Sequence, residues 1–331
     1  MSKTKVCLLN KKRGNFELQE NFAGKENVVD TTNSEVQHHY EALTAAGYEV
    51  NELKWSQNII ADLKELDPDI VFNVSSIVEA SILEELKIPY VGSNIFGIIK
   101  ATDKALAKEI WINDKLPTSP FIVAKDINDC KVFKNSPPFD YPLFIKPVAG
   151  RGSSGIDKSS IIQSYKELTK GVRERIIKIG QPVLIERFIE GIEITCGIIG
   201  NGKHIRALPL LEIDYKNGDK FITFDKKALD NDMFYCPARL NPGKSKQLQD
   251  VAIEAYKCVG LKDFGRVDMI FSKEGPFLLE INSFAGLMCT PKEKPHSYMG
   301  FMAVAEEKSS ASFLNEIMEI AFKRINKARF S

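Results

Sequence analysis

The chain has 331 residues, 44% of them hydrophobic and 27% charged, which suits roughly two or three compact domains and excludes wholesale disorder. Lys plus Arg number 45 against 44 for Asp plus Glu, so a net charge of +1 leaves no global basic footprint for nucleic acid or an anionic membrane. Six cysteines, with no C-x-x-C pair and no histidine at zinc spacing, exclude a disulfide framework and a zinc site and read as reduced thiols of a cytoplasmic protein.

Residues 6–9 (VCLL) form too short an apolar run for a signal peptide and read as a first buried strand. A polar stretch over 10–33 follows. Ser34 is then expected to cap a helix running to Ala46, with Val36, Tyr40 and Leu43 on one face, ended by Gly47. Strands at 48–53, 69–74 and 88–91 alternate with helices at 59–66 and 81–86. This alternation predicts a small parallel sheet covered by helices. The style changes near residue 100: a helix at 103–111, strands at 121–123 and 143–146, then a strand-rich region at 182–187, 193–199, 204–211, 267–271 and 277–281. Helices at 245–259 and 312–327 interrupt it. No segment approaches the length of about 18 apolar residues that a membrane span needs.

Gly150-Arg151-Gly152-Ser153-Ser154-Gly155 matches the glycine pattern of a dinucleotide-binding turn, but such a turn opens a helix directly. Here the following residues, IDKSSII, carry no helical apolar stripe. A flexible surface turn is a second reading. The favoured one is a flap whose backbone N–H groups and hydroxyls cover phosphates, with Lys146 on the entering strand supplying positive charge.

Asp268 lies on one strand candidate, and Glu280 and Asn282 lie two apart on the next. Period-two geometry turns Glu280 and Asn282 to one face, and if the strands pair as a hairpin, three oxygen ligands converge. Magnesium prefers such hard oxygens, with phosphates and water completing its octahedron. Arg266 shares the Asp268 face and can stabilise charge developing at a reacting centre. Carboxylates alone would favour an ordinary solvated strand face; the upstream lysine strand and glycine flap favour the metal. Residues 183–193 are a weaker signal, since a strand able to border an adenine edge and a plain strand–turn–strand explain them equally well.

Six ordered motifs carry a family resemblance: Thr102-Asp103-Lys104, FIKPVAGRGSSG at 144–155, LIERFIEGIEIT at 184–195, CPARL at 236–240, FGRVD at 264–268 and LLEINSFAG at 278–286. Together they resemble an ATP-grasp carboxylate–amine ligase, most closely the D-alanine–D-alanine ligase family. The resemblance implies α/β and α+β architecture: an ATP-grasp fold behind an N-terminal Rossmann-like (pre-ATP-grasp) α/β domain. It implies an N-terminal domain over 1–96, a central subdomain with the flap over 97–186 and a C-terminal subdomain with the metal site over 187–331. It also implies that Lys104 and Lys146 contact ATP phosphates, that Ser153 and Ser154 belong to the flap, and that Glu186, Phe188 and Ile189 border adenine. Glu193 would take the ribose, and Asp268, Glu280 and Asn282 would bind two Mg²⁺ ions, with Mn²⁺ as a substitute. Arg266 and Gly286 would surround the reacting carbonyl, and Lys227 would approach the terminal phosphate. The implied partners are a small-molecule carboxylate and an amine, and a second copy of the chain in a homodimer. ATP would convert the carboxylate to an acyl phosphate, which the amine attacks to give an amide, ADP and phosphate.

The departures from the family touch amino-acid recognition. The glycine-rich stretch with Ser and Glu after the first strand is absent, and Glu35 is a displaced substitute for that Glu. Ala228 stands where the family has a tyrosine next to the lysine of the loop before CPARL, here Lys227. Ser297 is a displaced version of the serine that binds the second substrate's carboxylate, unless Lys292 and Lys294 provide a different carboxylate site. A pocket altered this far predicts a carboxylate or amine substrate larger or more acidic than D-alanine. His38 and His39 read as residues of a polar helix face, His204 as a strand residue, and His296 as a candidate in the loop after the metal motif. Three other readings remain: a true D-alanine–D-alanine ligase of cell-wall synthesis, a non-catalytic ATP-binding regulator and a dinucleotide oxidoreductase.

Overall fold

A computed structural model describes residues 3–10, 32–72, 76–150, 155–215, 233–289 and 297–329. Ser153, Ser154, Lys227, Ala228, Lys292, Lys294 and His296 lie outside the described residues, as does most of the polar stretch over 10–33.

The first unit is a three-stranded parallel sheet, β1 (Lys5–Asn10) between β2 (Glu49–Lys54) and β3 (Ile70–Phe72), as the β-α-β alternation requires. The two-residue period of β1 sends Val6 and Leu8 to one core and Cys7 and Leu9 to another. Helices α1 (Thr32–Ala45), α2 (Ile59–Leu66) and α3 (Ile77–Glu85) cover the sheet. Helix α1 begins two residues before Ser34, so Ser34 lies inside its first turn and not ahead of it. Its buried stripe is Val36, His39 and Leu43; Tyr40 is exposed. His39 packs edge-on against Phe72, and His38 Nε2 lies 2.8 Å from the Cys289 carbonyl. The helix face that looks polar in sequence is therefore covered on both sides. Helix α3 starts four residues before the expected 81 because Ser76 and Glu79 form a reciprocal capping box. Of the expected strand at 88–91, the described structure has a single parallel bridge from Tyr90 to Val71.

Two helices follow end to end, α4 (Ile95–Thr102), absent from the sequence reading, and α5 (Lys104–Asn113), with Asp103 ending one and capping the other. The second sheet is antiparallel, in the order β4 (Phe121–Ala124), β7 (Val183–Arg187), β5 (Leu143–Pro147), β6 (Ile161–Ile162). It is covered by α6 (Tyr165–Ile179), a second helix that the sequence reading lacks. The third sheet runs β11 (Met233–Tyr235), β10 (Leu211–Asp214), β8 (Ile192–Ile199), β12 (Phe264–Ser272), β13 (Gly275–Asn282), with β9 (Arg206–Ala207) on β8. The expected strand at 204–211 is broken into β9 and β10. Pro209, which has no N–H to give a ladder, lies between them.

Helix α7 (Pro242–Val259) packs Leu248, Ala252, Ala255 and Val259 on one face of this sheet. Helices α8 (Tyr298–Ala305) and α9 (Ser310–Arg329) cover the other. Helix α9 also supplies Phe313, Leu314 and Ile317 to the core that holds Val6, Leu8 and Val36. The architecture is thus the mixed α/β and α+β arrangement expected. Among the described residues no helix is long and apolar enough to cross a membrane.

Candidate active site

The strands carrying FGRVD and LLEIN pair as the antiparallel hairpin expected from their spacing. The register sets Asp268 opposite Glu280 and Arg266 opposite Asn282. On its other side Asp268 faces Thr195, so Thr195, Asp268 and Glu280 form one row across β8, β12 and β13. A bulge between Asp268 and Met269 leaves Leu279 as the extra residue of β13. It shifts the pleat, so that Leu278 and Ile281, three apart, enter the same core while Glu280 and Asn282 keep the polar face.

Arg266 grips Asp268 with two hydrogen bonds, Nε to Oδ1 at 2.8 Å and Nη2 to Oδ2 at 2.7 Å. Asn282 Nδ2 donates to Asp268 Oδ2 at 3.0 Å, and the Thr195 hydroxyl donates to Oδ1. Burial opposes the Arg266 charge, but the Asp268 carboxylate outweighs it and keeps the guanidinium firmly protonated. The Tyr298 ring lies over the same guanidinium, 4.9 Å from its central carbon.

Lys104 reaches this row from the first turn of α5. Its Nζ lies 3.4 Å from Glu280 Oε2 and donates to the Gly150 carbonyl at 2.9 Å. The start of α5 is stitched to the glycine loop by backbone as well, Lys104 N–H donating to Val148 O at 3.0 Å. Thr102, Lys104, Gly150, Glu280 and Asn282 line a shared cleft.

One helical turn beyond Lys104, Lys108 belongs to a second, buried cluster. Lys108 Nζ lies 2.6 Å from Glu186 Oε1, and Lys146 Nζ lies 2.8 Å from Glu186 Oε2. Ser119 donates to Glu186 Oε1 at 3.0 Å. Burial alone would raise the Glu186 carboxyl, but the charges and hydrogen bonds of the two lysines overcome it and hold the group well below the usual carboxylate range. Burial likewise pulls the Lys108 ammonium down, only partly offset by Glu186.

The other expected site residues have their own settings. The Phe188 ring lies 6.3 Å from that of Phe144, and Ile189 is buried. Glu193, which shares the Thr195 face by the two-residue period, accepts from the Tyr215 hydroxyl. Gly286 sits where Glu35 and Ser297 meet. A carbon added there would lie 3.0 Å from Ser297 Cβ and 3.8 Å from both Glu35 Oε1 and Ser297 Oγ. The Ser297 hydroxyl donates to Met288 O at 2.9 Å and accepts from Gly300 N–H at 3.0 Å, capping α8.

The glycine loop does not open a helix. Gly155, at φ +73°, leads into a short 3₁₀ turn and then β6, so the dinucleotide-fingerprint reading fails on geometry. Arg175, buried on α6, anchors this exit: its guanidinium donates to Gly155 O at 3.3 Å, Ser160 Oγ at 2.8 Å and Asp157 Oδ1 at 3.3 Å. Arg175 and Lys108 escaped the sequence reading. The available signals were an arginine at helical spacing from Leu168, Val172 and Ile179, and a lysine one turn after Lys104.

The donor set suits magnesium. Asp268 and Glu280 face each other with the Asn282 amide beside them, and the Glu280 side chain, 31% exposed, opens on the cleft beside Lys104, while both Asp268 oxygens are bonded to Arg266.

Comparison with known proteins bears on the family and the fold. The sequence model described as D-ala D-ala ligase C-terminus matches residues 110–292. A D-alanine–D-alanine ligase of Ralstonia nicotianae is 32% identical over 213 residues, which span 62% of this chain and 61% of that protein's own length. One of Methylacidiphilum infernorum is 32% identical over 295 residues, covering 86% of this chain and 88% of that protein. The crystal structure of D-alanine–D-alanine ligase from Bacillus anthracis complexed with ATP superimposes with a TM-score of 0.72 at 18% identity, covering 98% and 99% of the two chains. With that fold, and with motifs and relatives that agree over most of its length, the chain belongs to the D-alanine–D-alanine ligase family and has the ATP-grasp fold.

Proposed function

We propose that the protein is an ATP-dependent ligase that joins a small-molecule carboxylate to an amine as an amide, releasing ADP and phosphate. The observation that carries this reading is Lys104, which touches both the glycine loop at Gly150 and the acidic row at Glu280 and so joins a phosphate-covering segment to a metal-binding one. In the proposed reaction a carboxylate oxygen attacks the γ-phosphorus of ATP, the bond from that phosphorus to the β–γ bridging oxygen breaks, and ADP leaves. The amine nitrogen then attacks the acyl carbon, loses a proton, and phosphate leaves.

The chain supplies no covalent nucleophile in this scheme. Lys104 and Lys146 hold the phosphates, Ser153 and Ser154 close the flap over them, and Lys227 approaches the terminal one. Glu186, Phe188 and Ile189 border the adenine, and Glu193 takes the ribose. Asp268, Glu280 and Asn282 would hold two Mg²⁺ ions, which neutralise phosphate charge when bound. Arg266 and the backbone N–H of Gly286 face the oxygen that becomes negative as the carbonyl is attacked. A closed flap keeps water from the acyl phosphate. Three units over 1–96, 97–186 and 187–331, a homodimer and a cytoplasmic location belong to the same reading.

The substrates are proposed to be amino acids, at least one larger or more acidic than D-alanine. Supporting this, Ser297 already uses its hydroxyl proton on Met288, the Tyr298 ring covers Arg266, and Glu35 reaches the Gly286 wall. The test is phosphate release from Mg-ATP against paired amino acids of both configurations, with the nucleotide product identified. ADP formed only when both substrates are present supports the ligase, and AMP with pyrophosphate would sink it. Glu280→Gln is expected to abolish turnover while leaving nucleotide binding measurable. If the wild type binds ATP and no pair yields ADP, the chain is a nucleotide-binding regulator. A kcat/KM for D-alanyl-D-alanine synthesis above that of every other pair refutes the altered pocket.

A further inference from the structure

Lys108 has no part in the scheme above, yet its side chain is wholly buried, at 0% exposure. Its ammonium meets Glu186 Oε1 at 2.6 Å, Thr118 Oγ1 at 2.6 Å and Ser119 Oγ at 3.1 Å, and the Leu278 carbonyl lies at 3.4 Å. Three N–H bonds therefore find three close acceptors within the protein, and the ion has a fixed internal position. Lys146 holds the opposite oxygen of the same carboxylate, and both Glu186 and Lys146 are nearly closed to water.

The charge balance of this trio is what matters. Two cations share one anion, which leaves one positive charge in a region of weak dielectric screening. If Lys108 were neutral, Glu186 and Lys146 would form a closed ion pair, and Lys146 would have little net attraction for an incoming phosphate. The burial that pulls the Lys108 ammonium down stops at about 8, so at neutral pH it is still charged. The trio also sits at a junction: Thr118 donates to the Leu278 carbonyl at 2.7 Å, two residues before Glu280.

Resting on the ATP-ligase reading, we infer that Lys108 is a positioning residue of the nucleotide site: it balances the Glu186 carboxylate so that Lys146 remains an unneutralised cation for the phosphates of a nucleoside triphosphate. The test is calorimetric titration of the full chain with Mg-ATP for the wild type, Lys108→Met, Glu186→Gln and the double variant, each checked for folding by its melting curve. Lys108→Met is expected to weaken Mg-ATP binding by about tenfold or more. Glu186→Gln added to it removes the unbalanced anion, and the double variant is expected to bind Mg-ATP more tightly than Lys108→Met and within about threefold of Glu186→Gln alone. Packing damage would not be repaired by a second substitution. Should Lys108→Met fail to fold, Lys108→Gln, which can still bond Thr118 and Ser119, replaces it in the same comparison. A folded Lys108 variant that binds Mg-ATP as the wild type does, or whose loss Glu186→Gln does not relieve, overturns the inference alone. A wild type that does not bind Mg-ATP overturns the ligase reading and the inference with it.

Discussion

Gly286 is where a single atom decides the shape of the site. A methyl there would press to 3.0 Å from Ser297 Cβ, and Ser297 is fixed by its bonds to Met288 and Gly300. Gly286→Ala is expected to cost about 1–3 kcal/mol, read as a lowered urea midpoint, and to reduce kcat more than it raises KM for ATP. Glu186 makes a second prediction, through pH. Its folded-state carboxyl is held down to about 2 against an ordinary 4.5, so its stabilisation is complete above pH 4.5 and is lost as the pH falls toward 2. Urea midpoints measured through that window are expected to fall more steeply for the wild type than for Glu186→Gln. Much of the residue detail was legible in the sequence. Arg266, Asp268, Glu280 and Asn282 follow from strand period and hairpin spacing, and Lys104 from its motif. Lys108 and Arg175 were not, because what makes them important is burial against partners far along the chain, such as Glu186 and Gly155.

At the scale of elements, the glycine loop is held at both ends and by different means. Lys104 and the backbone of α5 hold its start at Gly150 and Val148, and Arg175 of α6 holds its exit at Gly155. Arg175→Met would leave the Gly155 carbonyl and the Ser160 hydroxyl without their charged donor. It is expected to cost about 2–3 kcal/mol in a denaturant titration. If the loop covers phosphates, the same variant raises KM for ATP. The sequence reading placed β1, α2 and β5 well because each has a clear start and stop, and it found β12 and β13 although the bulge at Leu279 interrupts the period of β13. It omitted α6, whose inward face mixes Gly171 and Arg175 with Leu168 and Val172 and so dilutes the apolar stripe. It began α3 late because the signal there is a capping box ahead of the apolar residues, and it read 204–211 as one strand although Pro209 lies within it.

For the molecule as a whole, Asp263 is the joint. Fully buried at φ +63°, it accepts from Arg324 Nε and Nη2 on α9, from Asn201 in the loop after β8, and from Gly92 N–H of the first unit. Arg324 also donates to the Tyr90 carbonyl at 2.7 Å. Asp263→Ala strands that arginine and is expected to cost about 3–5 kcal/mol, seen as a shifted urea midpoint, the largest loss among the substitutions considered. Nothing local in the sequence marks this residue, since its four bonds come from three distant segments. The core shared by β1, α1 and α9 has a consequence for synthesis. Val6, Leu8 and Val36 leave the ribosome long before Phe313, Leu314 and Ile317 exist to cover them. At ribosomal rates of about 5–20 residues per second, the side of this core that α9 closes stays uncovered for roughly 15–60 s. A stalled or prematurely terminated chain would therefore present a preformed apolar platform to chaperones and to other nascent copies of itself.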